Sequence, residues 1–239
     1  MTDLAPVTLE HAGASMTGLM ARPVGDGPFP AVLVMHNALG IGPHVREVCQ
    51  RLAAEGYVAV ASDMYGGGAA YGAAAMSGAS FEALMKDPAL LRERIVKWFE
   101  HLCSLPEVDG ARAAAIGFCF GGTCVLELAR SGASARAVVS YHGILTSAQP
   151  MQPGAFSGEV QAWCGARDSY APLDQIEGLR AELAGAGTRH TITIFGEAAH
   201  GFTDPAADAM GREGIAYHAL SDRVSWAGTL ALLAAVFES

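Results

Sequence analysis

The chain has 239 residues, 51% of them hydrophobic and 16% charged, with 29 glycines and a formal net charge of -9. That balance argues against nucleic acid or an anionic membrane surface as a partner. The opening Met1-Thr2-Asp3-Leu4-Ala5-Pro6 lacks the basic and apolar regions of a secretion signal. No apolar run reaches the roughly 18–20 residues that span a bilayer; the best candidate, Leu230 to Phe237, reads as the inner face of a final helix.

In chain order, two short segments near 7–10 and 15–21 read as a leading hairpin. Strands are then expected at 31–35, 57–61, 113–117, 137–141, 160–164 and 191–195, where apolar, often β-branched residues run without interruption. Helical patterns fall between and after them, at about 44–55, 81–104, 121–131, 173–186 and 222–237. Continuous apolar strands separated by helices predict an α/β fold: a mostly parallel central sheet with helices on both faces. One domain over 1–239 is expected, since no repeat or linker interrupts the pattern. Tyr65 to Ser80 is uncharged, rich in Gly and Ala, and reads as a mobile loop. The stretch from His142 to Gly158 has no helical pattern and is too short for a lid domain, which favours small substrates.

The five cysteines, Cys49, Cys103, Cys119, Cys124 and Cys164, are odd in number and irregularly spaced. With no secretion signal, a reduced, cytoplasmic protein is expected. Four of them read as small buried hydrophobes. Cys119 stands apart in Gly117-Phe118-Cys119-Phe120-Gly121-Gly122, which follows one expected strand and opens the next helix. This is the context of a nucleophile elbow, with Cys where Ser usually stands. A nucleophile on so sharp a turn needs small neighbours two residues away, and Gly117 and Gly121 supply them. The helix that follows directs its positive end at the sulfur and favours negative charge there.

A nucleophilic cysteine needs a base, and the base an orienting acid. In this fold the order is nucleophile, acid, histidine. Asp168 lies just past the strand at 160–164, and His200 lies in the loop after 191–195. Asp174 is the fallback acid, although its place after Pro172 suits the first turn of a helix. The oxyanion hole is expected to use the backbone N–H of Phe120 and a second from the loop His36-Asn37-Ala38-Leu39-Gly40, with Ala38 first choice and Asn37 next. Tyr65 and His142, with Asn37, are candidate substrate-binding residues; Tyr65 and His142 equally suit ordinary packing at strand ends.

These residues together resemble the dienelactone hydrolase family. The elbow at 117–122, the stretch Arg46 to Tyr65, Tyr141-His142-Gly143, His200-Gly201-Phe202-Thr203, Ala216-Tyr217 and Asp222-Arg223 carry the likeness, which runs from about residue 15 to 237. It implies an α/β-hydrolase fold without a large lid and a triad of Cys119, Asp168 and His200. It also implies hydrolysis of small carboxylic esters or lactones through a thioester acyl-enzyme. Two positions depart from the dienelactone-cleaving pattern. Asn37 stands where those members have glutamate, and Asp204 stands where they have an arginine that binds the substrate carboxylate. The residues 64–85 also lack the second such arginine, so a less anionic substrate is expected.

The alternative is a redox- or electrophile-responsive thiol protein that uses Cys119 without ester turnover. Cys124 lies five residues after Cys119 and not in C-x-x-C spacing, which disfavours a built-in disulfide pair. His36, His142 and His200 could face one cleft, but no metal-binding spacing accompanies them, so neither metal nor cofactor is expected. The expected partner is a small-molecule ester or lactone, with the chain a monomer or homodimer.

Overall fold

The computed structural model describes residues 3–66 and 74–238, which fall into two compact units, Met1–Ile116 and Gly117–Ser239. The described residues form eight β-strands and six α-helices of an α/β fold.

The first unit runs β1 (Leu4–His11), β2 (Ala14–Ala21), β3 (Phe29–Met35), α1 (Pro43–Ala54), β4 (Val58–Ser62), α2 (Ala74–Lys86), α3 (Pro88–Ser104) and most of β5 (Val108–Phe118). Its strands lie in the order β1-β2-β4-β3-β5. The leading hairpin pairs Leu4 with Ala21 through His11 with Ala14, turning at Ala12 and Gly13, both with positive φ. β3 and β4 pair in parallel from Ala31–Val58 to Met35–Ser62. All five residues of β4 and the last five of β3 are buried, so both faces of these strands are covered, as their unbroken apolar sequence requires. α1 presents Val45, Val48, Cys49 and Leu52 as one buried stripe and packs against β2, β3 and β4. Gly18 has to be glycine: a Cβ there would lie 2.3 Å from the carbonyl oxygen of Ala61 on the neighbouring strand.

Here the structure corrects one expectation. The single helix expected at 81–104 is two, α2 and α3, divided at Asp87-Pro88. Asp87 caps α3 by accepting the N–H of Leu90 (3.0 Å), and Pro88 takes the first position, where its missing N–H costs nothing. Both signals are visible in the sequence, but the apolar periodicity passes smoothly across them. α2 also begins at Ala74, so the end of the expected Tyr65–Ser80 loop is helical. The remainder of that loop, 67–73, lies outside the described residues.

The second unit runs α4 (Phe120–Arg130), β6 (Ala137–Tyr141), β7 (Glu159–Gly165), α5 (Leu173–Gly185), β8 (Arg189–Phe195), a 3-10 turn at Ala207–Met210 and α6 (Ala219–Glu238). β6, β7 and β8 are consecutive parallel neighbours, with Ala137 opposite Glu159 and Glu159 opposite Arg189. α4 packs on β6, α5 on β8, and α6 on β6 and β7.

α6 is 20 residues long with a mean hydropathy of 1.2 over its most apolar window, long and apolar enough by composition to cross a membrane. It carries Asp222 and Arg223, however, and its buried stripe of Ser221, Ser225, Thr229 and Leu233 serves the packing on β6 and β7. The Thr229 hydroxyl accepts from Tyr141 Oη (2.5 Å) and Trp163 Nε1 (3.1 Å), so the polar residue satisfies two buried donors. The inner face expected at Leu230 to Phe237 is therefore partial: Leu233, Val236 and Phe237 are buried, and the stripe continues toward the N-terminus through hydroxyl residues.

Between β6 and β7 no helix forms, as the sequence implies, and a buried charge cluster holds that segment in place. The Arg130 guanidinium donates to Glu182 (Nε 2.8 Å, Nη2 2.7 Å), to Glu127 (3.0 Å) and to the carbonyl of Leu145 (2.7 Å), while Glu182 accepts the N–H of Met151 (2.7 Å). Replacing Arg130 with Met would leave two carboxylates without their cation in a nearly dry site, a loss of about 3–5 kcal/mol. The midpoint of urea unfolding is expected to fall accordingly; an unchanged midpoint would mean that the cluster contributes no net stability.

Candidate active site

The site is built on the junction of β5 and α4. Cys119 occupies it at φ 55, ψ -114, a backbone region that costs an L-residue on the order of 1–3 kcal/mol. The turn is tight enough to dictate its neighbours. A Cβ on Gly117 would lie 2.0 Å from the Gly121 oxygen. A Cβ on Gly122 would lie 2.8 Å from the Gly143 Cα, and one on Gly143 would lie 2.7 Å from the Gly122 carbonyl carbon. The glycines of the elbow and of Tyr141-His142-Gly143 are thus two sides of one close approach between α4 and the end of β6. Cys119 is half-buried at the N-cap of α4, and the first helical bond runs from the Thr123 N–H to its carbonyl (3.2 Å).

Asp168 and His200, expected from their places after β7 and β8, come together. His200 Nδ1 lies 2.9 Å from Asp168 Oδ2, with both side chains buried. The other carboxylate oxygen of Asp168 accepts the N–H groups of Tyr170 (2.8 Å) and Ala171 (3.2 Å), which fixes its orientation. Gly165 lets the two loops touch, since a Cβ there would lie 2.3 Å from the Ala198 oxygen. The His200 backbone is pinned by the segment at 214–216, its N–H on the Gly214 carbonyl (3.0 Å) and its carbonyl on the Ala216 N–H (3.1 Å).

With Nδ1 committed to Asp168, the other ring nitrogen of His200 is left for the Cys119 side chain, which acts on the proton affinity of the imidazole. Burial alone would hold the imidazole below its ordinary 6.5. The bonds to Asp168 and Cys119, and the charges of both, outweigh burial and push His200 up to about 10. The arrangement favours a protonated imidazole beside the Asp168 carboxylate. Asp174, the fallback acid, is exposed in the first turn of α5.

The remaining candidates are placed as follows. His142 is buried at the end of β6, with its Nδ1 3.1 Å from the Cys119 nitrogen and its Nε2 2.9 Å from the Thr203 hydroxyl. Asn37 and Ala38 lie in the loop after β3, in the first unit. The Asn37 side chain accepts the N–H of Leu39 (2.9 Å) and so closes its own turn. Tyr65 is buried and donates its hydroxyl to the Ala38 carbonyl (2.8 Å), steadying that loop. His36 donates from Nδ1 to the Asn37 carbonyl (2.6 Å) and accepts the Met64 N–H at Nε2 (3.1 Å); burial holds its pKa down, against the pull of that carbonyl and of Asp63. Asp204 is buried and its carboxylate accepts the Ala206 N–H (2.9 Å).

Two residues near Asp168, His200 and His142 were not singled out in the sequence. Tyr170 lays its ring 4.6 Å from that of His200 while 42% exposed, and Thr203 bonds His142. Tyr170 sits two residues after Asp168, and nothing in the sequence reveals that the turn brings it back over the imidazole. Among the described residues, no group of three or more His, Cys, Asp or Glu side chains is arranged to hold a metal ion.

Known proteins resemble this chain over most of its length. The sequence model of the dienelactone hydrolase family matches residues 16–237. A solved structure named "m3DLH" is similar over 99% of both chains, with 36% identity and a TM-score of 0.92. A dienelactone hydrolase-like promiscuous phosphotriesterase from metagenomic libraries is 32% identical over 98% of both chains, with a TM-score of 0.90. A protein of Escherichia coli (strain K12) named "Putative carboxymethylenebutenolidase" is 28% identical over 234 residues, covering 92% of this chain and 82% of that protein.

Proposed function

Because the chain belongs to the dienelactone hydrolase family and is a hydrolase of that type, we propose that it cleaves small carboxylic esters and lactones through Cys119, His200 and Asp168 by way of a thioester acyl-enzyme. The observation that carries this reading is the 2.9 Å Asp168–His200 bond, together with a cysteine held at a strained elbow.

In this mechanism His200 takes the Cys119 proton, and Asp168 holds the tautomer and steadies the imidazolium. The thiolate attacks the ester carbonyl, and the oxyanion is received by the N–H of Phe120, at the first position of α4. His200 then passes its proton to the departing oxygen, which leaves the thioester. Water, deprotonated by His200, releases the acid and restores the thiol. Thiolate leaves a tetrahedral intermediate more readily than an alkoxide does, so esters with stabilised leaving groups, aryl and enol esters, are favoured. Asp204 keeps a carboxylate four residues beyond His200, which suits a neutral substrate better than an anionic one.

The rival reading, a thiol protein without ester turnover, is weakened by the second cysteine. Cys124 is buried within α4, and its thiol is pushed well above the ordinary range, by burial first and then by Glu127 and Cys119. The test is a panel of aryl esters, alkyl esters, lactones and a dienelactone, with the acyl-enzyme trapped and located by peptide mass spectrometry. Turnover is expected with an adduct on Cys119, and kcat/KM for aryl esters at least about tenfold above alkyl esters, a difference of about 1.4 kcal/mol in barrier. Equal rates for the two would sink the leaving-group argument, and alkylation of Cys119 with no turnover on any ester would favour the thiol protein. The likeness to a phosphotriesterase gives reason to include an aryl phosphotriester in the panel.

A further inference from the structure

We infer that His142 is a positioning residue: a neutral imidazole that ties the turn of the nucleophile to the loop that carries the base. The inference rests on the roles proposed above for Cys119 and His200, but its geometry is independent of any substrate. The Cys119 N–H points at both the Tyr141 carbonyl (3.0 Å) and His142 Nδ1 (3.1 Å). An N–H donor at Nδ1 requires a lone pair there, so the ring proton sits on Nε2 and is donated to the Thr203 hydroxyl at 2.9 Å. Thr203 stands three residues beyond His200 on the same loop. One rigid ring therefore accepts from the nucleophile's backbone at one end and donates to the base's loop at the other.

The surroundings agree with a device under tension. His142 has φ 39, so two non-glycine residues in the left-handed region, Cys119 and His142, hold each other through this bond. The ring meets His200 edge-on at 5.2 Å and Phe202 edge-on at 5.1 Å, with Phe118 at 6.3 Å. Among the described residues, the titratable ring of His200 lies edge-on to it, with Asp168 bonded to His200, and the backbone of Cys119 meets its Nδ1. A proton on Nδ1 would oppose the Cys119 N–H, so the tie holds only while His142 is neutral. Phenylalanine would fill the same volume and make neither bond. Asparagine would restore an acceptor near Nδ1 and lose the Thr203 contact.

The test uses the full chain with His142→Phe, His142→Asn and Thr203→Val, and two readouts. One is the pH profile of iodoacetamide alkylation at Cys119, located by peptide mass spectrometry, which needs no ester turnover. The other is kcat and KM on an aryl ester. For His142→Phe, alkylation is expected to slow about tenfold at neutral pH, with its profile displaced upward, and kcat to fall about 10–100-fold with KM within about threefold, the scale of a misplaced catalytic pair. His142→Asn is expected to recover part of the alkylation rate, and Thr203→Val to move both readouts in the same direction as His142→Phe by less. If His142→Phe fails to fold, Thr203→Val carries the test alone. Folded variants with the wild-type alkylation profile and kcat would overturn the inference. A wild-type protein that turns over no ester would refute the proposed function, and the alkylation profiles would still decide this one.

Discussion

Replacing Cys119 with alanine is expected to lower kcat on any ester the protein hydrolyses by about 10⁴-fold or more, and to remove the acyl adduct altogether. The size follows from what remains. The substitution keeps the elbow, the first amides of α4 and the Asp168–His200 pair, so binding and oxyanion stabilisation persist, but the atom that forms the covalent bond is gone. No neighbour replaces it: the Thr203 hydroxyl is buried and engaged by His142, and Cys124 is buried within α4 with its thiol pushed well up. Measurement of kcat together with peptide mass spectrometry checks this. An alanine variant with full activity would mean that water is activated directly by His200 and that the thioester pathway is wrong. Because alanine at φ 55 carries the same backbone strain as cysteine, the melting temperature is expected to change little.

The second large effect is expected from Asp168→Asn. Asparagine can offer His200 Nδ1 an amide N–H in place of a carboxylate, which reverses the tautomer and removes the charge that steadies the imidazolium; such a change costs about 10⁴-fold in kcat in serine triads. It also acts on stability. His200 is raised from 6.5 to about 10 in the folded protein, so its proton stabilises the fold fully below about 6.5, and that contribution disappears as pH rises through about 10. Wild type is therefore expected to lose stability across that window. Asp168→Asn, lacking the hydrogen bond and the charge that help raise His200, is expected to show a shallower slope over the same range. Thermal melts from neutral pH to about 10.5 measure it; parallel slopes would show that Asp168 does not set the proton affinity of His200.

Much of this is legible in the sequence. Six of the eight strands follow from apolar runs, most plainly β3 and β4, which are covered on both faces, and the leading hairpin follows from two short segments before them. The elbow is legible for a related reason: a turn so sharp admits almost nothing but glycine beside the nucleophile, and Gly117 shows why, with a would-be Cβ 2.0 Å from the Gly121 oxygen. The order nucleophile, acid, base along successive strand ends pointed to Asp168 and His200, and the structure brings them to 2.9 Å.

What misled was periodicity read without its stops. The break at Asp87-Pro88 is a local signal, a capping carboxylate before a proline, and it was masked by an apolar rhythm that continues on either side. α6 shows the converse. Its buried stripe runs through Ser221, Ser225 and Thr229, and hydroxyls read as solvent-facing until the donors they satisfy, such as Tyr141 and Trp163, are in view.

By itself, then, the sequence determined the α/β class, the strand order along the chain and the glycine-framed turn around Cys119, and it pointed to Asp168 and His200 as neighbours, because backbone sterics and strand-end topology leave local marks. Only the tertiary structure decided who supports them. His142 turned from a candidate pocket residue into a ligand of the Cys119 N–H, Asn37 spent its side chain on its own turn, and Tyr170 came to lie over the base. Each of these depends on contacts between residues two or more tens of positions apart, or on the exact path of a turn, and hydrogen-bond partners at that range leave no periodicity for a sequence to display.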